Sequence, residues 1–282
     1  MKTTLRIVFA LLLSRFALTM KIPDNEETCA NMEVIGAYRM KWRQWKDSKI
    51  IENKIIIAYP GDDTALWIDF PDVTIRNCIV YHPANGRGIY GQRSHNLRIE
   101  NVEVIAYGND WGAQPCPNRW PNGGYDCSNI VTRKTNNVTI HNVRVENGSK
   151  GIRLVESPDS HVSHVVAKNF RGPYPGGGCF AFTMSHRSVL DDFYCHNDPD
   201  ISWTGDSMNM WRSSEVTISN GLINGSNAPT GMCIMFEGSD PAVHGGLIEN
   251  VEAINCLGCF SGYPANGLRQ NNVTCANQAC PS

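Results

Sequence analysis

The sequence predicts an all-β solenoid, and three observations support this fold class. A short strand-like unit recurs along the chain, as in Asp72–Asn77 (DVTIRN), Asn137–Asn142 (NVTIHN) and Glu215–Asn220 (EVTISN). The first apolar residues of successive units are 24 to 31 residues apart, except for one step of 41. A second short strand with alternating apolar residues precedes most of the units. Such a period, with little helical periodicity, is typical of repeat architectures.

Each repeat contains a bend and an inward-facing strand. The first apolar residues of the units are Val73, Leu97, Val138, Val162, Val189, Val216 and Leu247. Asparagine recurs after them, at Asn77, Asn101, Asn142, Asn220 and Asn250. Because asparagine tolerates left-handed backbone conformations, we expect a bend there with a ladder of side-chain amides. In the second strands we expect two inward columns: Ile89, Ile152, Phe180 and Met208 in one, and Leu154, Phe182, Met210 and Met235 in the other.

Two or three short strands per turn, with the turns stacked in parallel, make a β-helix. Between Lys54 and Thr274 the repeated DVTIxN-like units resemble the right-handed parallel β-helix superfamily, which includes pectate lyases, polygalacturonases and alginate epimerases. We therefore predict a single-domain right-handed parallel β-helix over residues 54–282, preceded by an N-terminal cap over residues 21–53. The resemblance identifies no specific family, and the scaffold hosts many unrelated functions.

The N-terminus and the cysteines indicate a secreted protein. Residues 1–20, with a basic start and the apolar run Ile7–Leu13, are typical of a signal peptide. All eleven cysteines follow it, and four Asn-x-Ser/Thr sequons predict a glycoprotein. Cys116 with Cys127 and Cys275 with Cys280 are plausible local disulfides, Cys256 and Cys259 could form a redox pair, and the odd count leaves a thiol that we expect to be buried.

Charge and hydropathy limit the partners. The chain has 25 Lys and Arg against 27 Asp and Glu, and a net charge of −2 provides no field for binding nucleic acid. No window outside the signal peptide is long and apolar enough to span a membrane. We expect a monomer whose partner is a polysaccharide, since proteins of the β-helix superfamily generally bind extended polysaccharides along an outer sheet surface.

That resemblance directs attention to outward residues of the second strands. Aligning the units places Arg153, Asn209 and Trp211 on the outer surface, and Arg212 and Glu237 at strand ends. The same alignment places Ile234 and Phe236 outward. As substrate-binding candidates, arginines would neutralise substrate carboxylates, aromatic rings would stack on sugars, and the remaining two would bind substrate; the set is Arg153, Arg212, Trp203, Trp211, Asn209 and Glu237.

The acid-rich loop His196–Asp206 has three interpretations. Tyr194 and Asp198-Pro199-Asp200 resemble part of the alginate-epimerase motif, although Asp200 stands where that family has histidine. Thr204–Trp211 (TGDSMNMW) resembles a polygalacturonase pattern, of which Asp206 alone carries over. In the third interpretation, the acids cap backbone N–H groups in turns. For the cluster as a whole we favour a functional role, because several acids and a histidine converge beside one strand.

The leading hypothesis is a secreted enzyme that acts on an acidic polysaccharide (a uronan) by proton abstraction, as a lyase or C5-epimerase. Its catalytic candidates are His196, Asp198, Asp200 and Asp206. A glycoside hydrolase of the polygalacturonase type and a non-catalytic glycan-binding β-helix are the alternatives. No cofactor is required and no metal site is predicted, although Asp198, Asp200 and Asp206 could offer oxygen ligands to Ca²⁺.

Overall fold

A computed structural model of the protein describes residues 32–40, 49–108, 127–172, 177–226, 231–237, 245–262 and 267–276. The described residues form twenty β-strands and no helix. The strands are β1 Glu33–Gly36, β2 Tyr38–Met40, β3 Ile50–Glu52, β4 Lys54–Ile57, β5 Thr64–Ile68, β6 Thr74–Pro83, β7 Arg87–Gln92, β8 Arg98–Tyr107, β9 Ser128–Arg133, β10 Thr139–Glu146, β11 Lys150–Val155, β12 His161–Lys168, β13 Gly178–Thr183, β14 Val189–His196, β15 Met208–Trp211, β16 Thr217–Ser226, β17 Met232–Glu237, β18 Leu247–Cys256, β19 Gly258–Gly262 and β20 Arg269–Ala276.

The strands stack in two long parallel sheets. Sheet A has the order β1-β4-β6-β8-β10-β12-β14-β16-β18-β20, and β3 also pairs with β6. Sheet B has the order β2-β5-β7-β9-β11-β13-β15-β17-β19. From β4 onward the chain alternates between the two sheets, so each circuit adds one strand to each. The predicted all-β parallel solenoid is therefore confirmed.

The long strands of sheet A bend at a column of asparagines. Asn77, Asn101 and Asn142 all have positive φ, near 53°. The Asn101 amide donates to Asn77 Oδ1 at 3.2 Å, and the Asn142 amide donates to Asn101 Oδ1 at 2.7 Å. Further along, the ladder resumes through Asn220, Asn250 and Asn272. The predicted amide ladder is confirmed, and it satisfies polar groups at a bend that repeats in every rung.

Serine and threonine hold the turns that follow sheet B strands β7 to β15. Each turn has four residues, and the first and fourth have positive φ; the pairs are Arg93/Asn96, Lys134/Asn137, Glu156/Asp159, Met184/Arg187 and Arg212/Glu215. The second residue is a buried Ser or Thr. The hydroxyls of Thr135, Ser185 and Ser213 each accept a backbone N–H from the rung before, donated by Ser94 at 3.2 Å, Ser157 at 3.1 Å and Ser185 at 3.0 Å. The ladder aligns the first residues of the turns in one row along the solenoid.

The core lies between the sheets, and one predicted column needs correction. Ile152, Phe180 and Met208 pair in register, as do Leu154, Phe182 and Met210, so both inward columns are confirmed to this point. In the next rung Ile234 pairs with Met208 and Phe236 with Met210, whereas Met235 pairs with Asn209. The inward placement of Met235 and the outward placement of Ile234 and Phe236 were wrong, because three consecutive apolar residues allow either alternation.

Among the described residues, three disulfides connect strands of the C-terminal half: Cys179–Cys195, Cys233–Cys256 and Cys259–Cys275. The predicted Cys275–Cys280 disulfide and the predicted Cys256/Cys259 redox pair are therefore wrong, because these cysteines have other partners. The solenoid brings together residues from successive strands rather than residues that are close in sequence. Cys127 is disulfide-bonded too, but Cys116 lies outside the described residues. Cys78 is a free, buried thiol, as expected from the odd count. The disulfides are compatible with an extracellular protein.

The N-terminal strands already belong to the solenoid. β1 pairs with β4, β2 with β5 and β3 with β6, so residues of the predicted cap contribute to both sheets. The predicted signal peptide, residues 1–20, lies outside the described residues. Among the residues that the structure describes, no helix is long and apolar enough to cross a membrane.

Candidate functional site

Two carboxylates and an amide meet on the outer surface of sheet B. Asn209 lies in β15, and its Nδ2 donates to Asp206 Oδ2 at 3.3 Å and to Glu237 Oε2 at 3.2 Å. Glu237 ends the neighbouring strand β17, in register with Trp211. One amide therefore holds two carboxylates from adjacent rungs. We call Asp206 and Glu237 the carboxylate pair and Asn209 the bridge.

Backbone packing positions Asp206 just before β15. Its Oδ1 accepts the backbone N–H of Met232 at 3.1 Å, which ties the carboxylate to β17. Glycines on both sides permit this approach. A Cβ at Gly178 would lie 2.3 Å from the Asp206 carbonyl oxygen, and one at Gly231 would lie 2.1 Å from the Gly205 carbonyl oxygen. The half-buried Asp206 side chain is consequently fixed by two hydrogen bonds to the neighbouring groups.

The surroundings of Asp206 raise the pKa of its carboxyl group. Burial is the main cause, and the negative charge of Glu237 acts in the same direction. The hydrogen bonds from Met232 and Asn209 and the positive charge of Lys150 oppose it without reversing it. Asp206 therefore holds a proton at higher pH than an ordinary aspartate does, as a general acid requires.

An aromatic ring and a cation flank the pair. Trp211 lies in the same outer column as Glu237, and the Arg212 guanidinium lies 4.6 Å from the Trp211 ring centroid. Arg212 is exposed and opens the turn after β15. A ring next to an exposed guanidinium offers a stacking surface for a sugar and a charge for its carboxylate.

Arg153 lies on the same outer surface two rungs away, and Lys150 lies at the edge of the sheet, where its charge acts on Asp206. Arg153 pairs in register with Ala181, which pairs with Asn209, so its backbone lies about 10 Å from that of Asn209 at 4.8 Å per strand. Lys150 opens the same strand, β11. The predicted set Arg153, Asn209, Trp211, Arg212 and Glu237 thus shares one surface and its margin.

The other predicted residues belong to a different part of the rung. His196 ends β14 in sheet A and stacks against Tyr194, with ring centroids 5.8 Å apart and planes 9° apart. Burial lowers the pKa of the His196 imidazole, nearby Lys168 adds to this effect, and Asp198 opposes it. Among the described residues, none of the interactions of His196 reaches the carboxylate pair.

Asp198 and Asp200 form a turn. Asp198 Oδ1 accepts the N–H of Asp200 at 2.9 Å, and the N–H of Asp198 donates to Asn169 Oδ1 at 3.1 Å. Asp200 is exposed, and so is Trp203, with 44% of its surface accessible. The arrangement fits the turn interpretation of these two acids and is an Asx-turn geometry.

Two features escaped sequence reasoning. Glu237 was predicted to bind substrate at a strand end, and its direct link to Asp206 through Asn209 was not anticipated; correct register of β17 would have revealed it. Lys150 carried no signal beyond its place at the start of a strand. The described residues contain no group of three or more His, Cys, Asp or Glu side chains that could hold a metal ion, and a role for Ca²⁺ stays a prediction.

Comparison with protein-family models identifies the fold family. Residues 42–192, more than half of the chain, match the model described as a right-handed β-helix region. The chain belongs to this family. No similar sequence was found among curated proteins.

Solved structures of other β-helix proteins are similar to this chain. The enzymatically active domain of tailspike protein 2 of bacteriophage CBA120 has 11% identity and a TM-score of 0.48, with coverage of 87% of this chain and 41% of that one. An alginate lyase from Paenibacillus sp. str. FPU-7 has 10% identity and a TM-score of 0.47, with coverage of 86% and 99%. The A-module of mannuronan C-5 epimerase AlgE4 from Azotobacter vinelandii has 11% identity and a TM-score of 0.35, with coverage of 87% of both chains. Similarity at this level carries no information about activity.

Proposed function

We propose that this β-helix protein is a secreted enzyme that acts on an acidic polysaccharide at the outer surface of sheet B. The observation that carries the proposal is the carboxylate pair, in which one Asn209 amide bridges Asp206 and Glu237. Two carboxyl groups in different environments can serve as acid and base in one reaction. The catalytic assignment thereby moves from the four residues His196, Asp198, Asp200 and Asp206 to Asp206 and Glu237.

In the proposed reaction, Glu237 is the base and Asp206 the acid. The Glu237 carboxylate takes the proton on C5 of a uronate residue. In a lyase, the electron pair of the C5–H bond forms a C4=C5 double bond while the C4–O bond breaks, and Asp206 protonates the leaving oxygen. In an epimerase, Asp206 instead returns a proton to the opposite face of C5. A substrate carboxylate bound by Arg212 or Arg153 would make the C5 proton more acidic.

A glycoside hydrolase is the second candidate, favoured by the spacing of the pair. Because Asp206 Oδ2 and Glu237 Oε2 bind the same nitrogen, they lie at most about 6.5 Å apart. This limit includes the roughly 5–5.5 Å that separates the carboxyl groups of retaining glycosidases. Asp206 would then protonate the glycosidic oxygen while Glu237 attacks the anomeric carbon and the C1–O bond breaks. Water, deprotonated by Asp206, would then hydrolyse the bond between the sugar and Glu237.

Product analysis on purified substrates tests the proposal. The protein is incubated with alginate, pectate and a neutral glucan, and products are assayed for unsaturated uronates, for new reducing ends and for inversion at C5. We expect turnover of an acidic polymer that is lost in Asp206→Asn and Glu237→Gln. Glu252→Gln is the matched control, because Glu252 is a half-buried carboxylate on sheet A whose pKa burial also raises.

Each outcome identifies a class of function. Unsaturated products indicate a lyase, C5 inversion without cleavage indicates an epimerase, and reducing ends without unsaturation indicate a hydrolase. Retention of a polysaccharide without turnover, unchanged in Asp206→Asn, would instead establish the non-catalytic glycan-binding alternative and refute the enzymatic proposal.

A further inference from the structure

A groove lies over the turns that follow the strands of sheet B, away from the carboxylate pair. Its volume is about 500 Å³. It extends along the turns after β7, β9, β11 and β13, and its lining includes Arg93, His95, Lys134, Asn136, Glu156 and Met184. The Ser/Thr ladder beneath these turns keeps the groove in a fixed geometry, since the buried hydroxyls bond from rung to rung.

Positive charge exceeds negative charge in this groove. Arg93 and Lys134 are exposed and occupy the same turn position in adjacent rungs, so their backbones are about 4.8 Å apart. Lys134 Nζ lies 3.8 Å from Glu156 Oε2. Within the described ranges, no carboxylate pairs with the Arg93 guanidinium. Two cations therefore face one carboxylate, and an anion would balance the charge.

His95 adds a directed donor. Its Nδ1 accepts the backbone N–H of Asn136 at 3.1 Å. An imidazole nitrogen that accepts a hydrogen bond carries no proton, so in the neutral ring the proton lies on Nε2. The groove thus combines two cationic donors and an imidazole N–H with the apolar Met184 side chain.

We propose that this groove binds an acidic saccharide through a carboxylate or sulfate group. Arg93 binds two oxygens of the anion with its planar guanidinium, and Lys134 contributes a point charge. His95 Nε2 donates to a sugar oxygen, and Met184 contacts an apolar ring face. The row of turn residues continues from Met184 to Arg212, beside Trp211. The choice of a saccharide rests on the proposed function, whereas the choice of an anion rests on the groove alone.

Calorimetric titration tests this site without depending on turnover. The background is Glu237→Gln, and the ligands are an oligogalacturonate, a sulfated oligosaccharide prepared from heparin, and a neutral malto-oligosaccharide. We expect an acidic ligand to bind and the neutral one not to bind. The double variant Arg93→Asn/Lys134→Asn should weaken that affinity about tenfold. Asparagine suits the positive φ at both positions, so the change removes charge without strain.

Two further variants make the test specific. Glu156→Gln should strengthen binding, because it removes the carboxylate that competes with the ligand for Lys134. Arg98→Asn is the control and should leave affinity unchanged, since Arg98 is an exposed cation on β8 in sheet A, paired with Glu100. Melting temperatures establish that each variant is folded.

The outcomes separate this site from the catalytic proposal. Stronger binding of the oligogalacturonate assigns a carboxylate ligand, and stronger binding of the heparin fragment assigns a sulfate ligand. If the wild-type protein turns over no polysaccharide and the double variant still loses affinity tenfold, the groove is supported and the proposed function is contradicted. Equal affinity of the double variant and its background, equal binding of the neutral ligand, or no binding of either acidic ligand would overturn the inference.

Discussion

The carboxylates at the two ends of the segment His196–Asp206 differ in the groups that they bind. At the first end, Asp198 uses its carboxylate to cap the N–H of Asp200 within one turn. At the second end, Asp206 joins β17 and shares an amide with Glu237, which lies 31 residues further along the sequence. In a solenoid, groups converge when they occupy the same position of adjacent rungs, and closeness in sequence is a poor guide to convergence.

The largest expected effect is on catalysis at the second end. Asp206→Asn and Glu237→Gln should each lower kcat by about 10²–10⁴-fold, because each removes one partner of acid–base catalysis. The double variant should be little worse than either single variant, since groups that act as a unit are not additive. Turnover of the acidic polymer identified by product analysis is the measurement.

The same assay applied to the first end gives the contrast. His196→Ala and Asp200→Asn should keep kcat within about threefold of wild type, since their described interactions stay within their own part of the rung. If His196→Ala were as inactive as Glu237→Gln, the sheet A end would belong to the catalytic machinery and the assignment to the carboxylate pair would be wrong.

The next effect is on stability, at the first end. Asn197 is 1% exposed, its Oδ1 accepts the N–H of Phe170 at 3.1 Å, and its Nδ2 donates to the Gly225 carbonyl at 3.3 Å. Asn197→Ala would leave the buried Phe170 N–H without this acceptor, whereas the Gly225 carbonyl would keep its hydrogen bond from Ser207 Oγ. The free energy of unfolding should therefore fall by about 2 kcal/mol. Urea denaturation measures this change, and the folded fraction should keep its kcat. The exposed Asp200→Ala is the control, and a loss of equal size there would contradict the argument.

A smaller catalytic effect is expected at the bridge. Asn209→Ala removes both hydrogen bonds that orient Asp206 and Glu237, and kcat should fall about tenfold with little change in KM. Asn209→Gln keeps the amide on a longer side chain and should recover part of the rate. A purely structural role would instead lower the melting temperature and leave the kcat of the folded enzyme intact.

The fold could be predicted further than the site because its signals repeat. Asparagines bend sheet A in most rungs and bond to one another in two runs, so a single misplaced unit does not obscure the pattern. The site depends on the register of single rungs. Met235 lies between two other apolar residues, and placing it inward moved Glu237 one position out of register with Trp211. Tertiary contact alone decides which apolar residues face the core there.

The smallest expected effect is on the pH profile of kcat, when the lysine near each end of the segment is replaced. If Asp206 is the acid, activity is lost as pH rises through its pKa, because the ionised form cannot donate a proton. The positive charge of Lys150 lowers the pKa of Asp206. Lys150→Gln should therefore raise that pKa and move the alkaline limb of the kcat profile to higher pH, by about 0.3 for a charge about 10 Å away in water.

Lys168→Gln is the matched control, since Lys168 acts on His196 and its loss should leave the limb in place. A shift to lower pH in Lys150→Gln would assign the limb to another group, and an equal shift in Lys168→Gln would mean that the two ends titrate together.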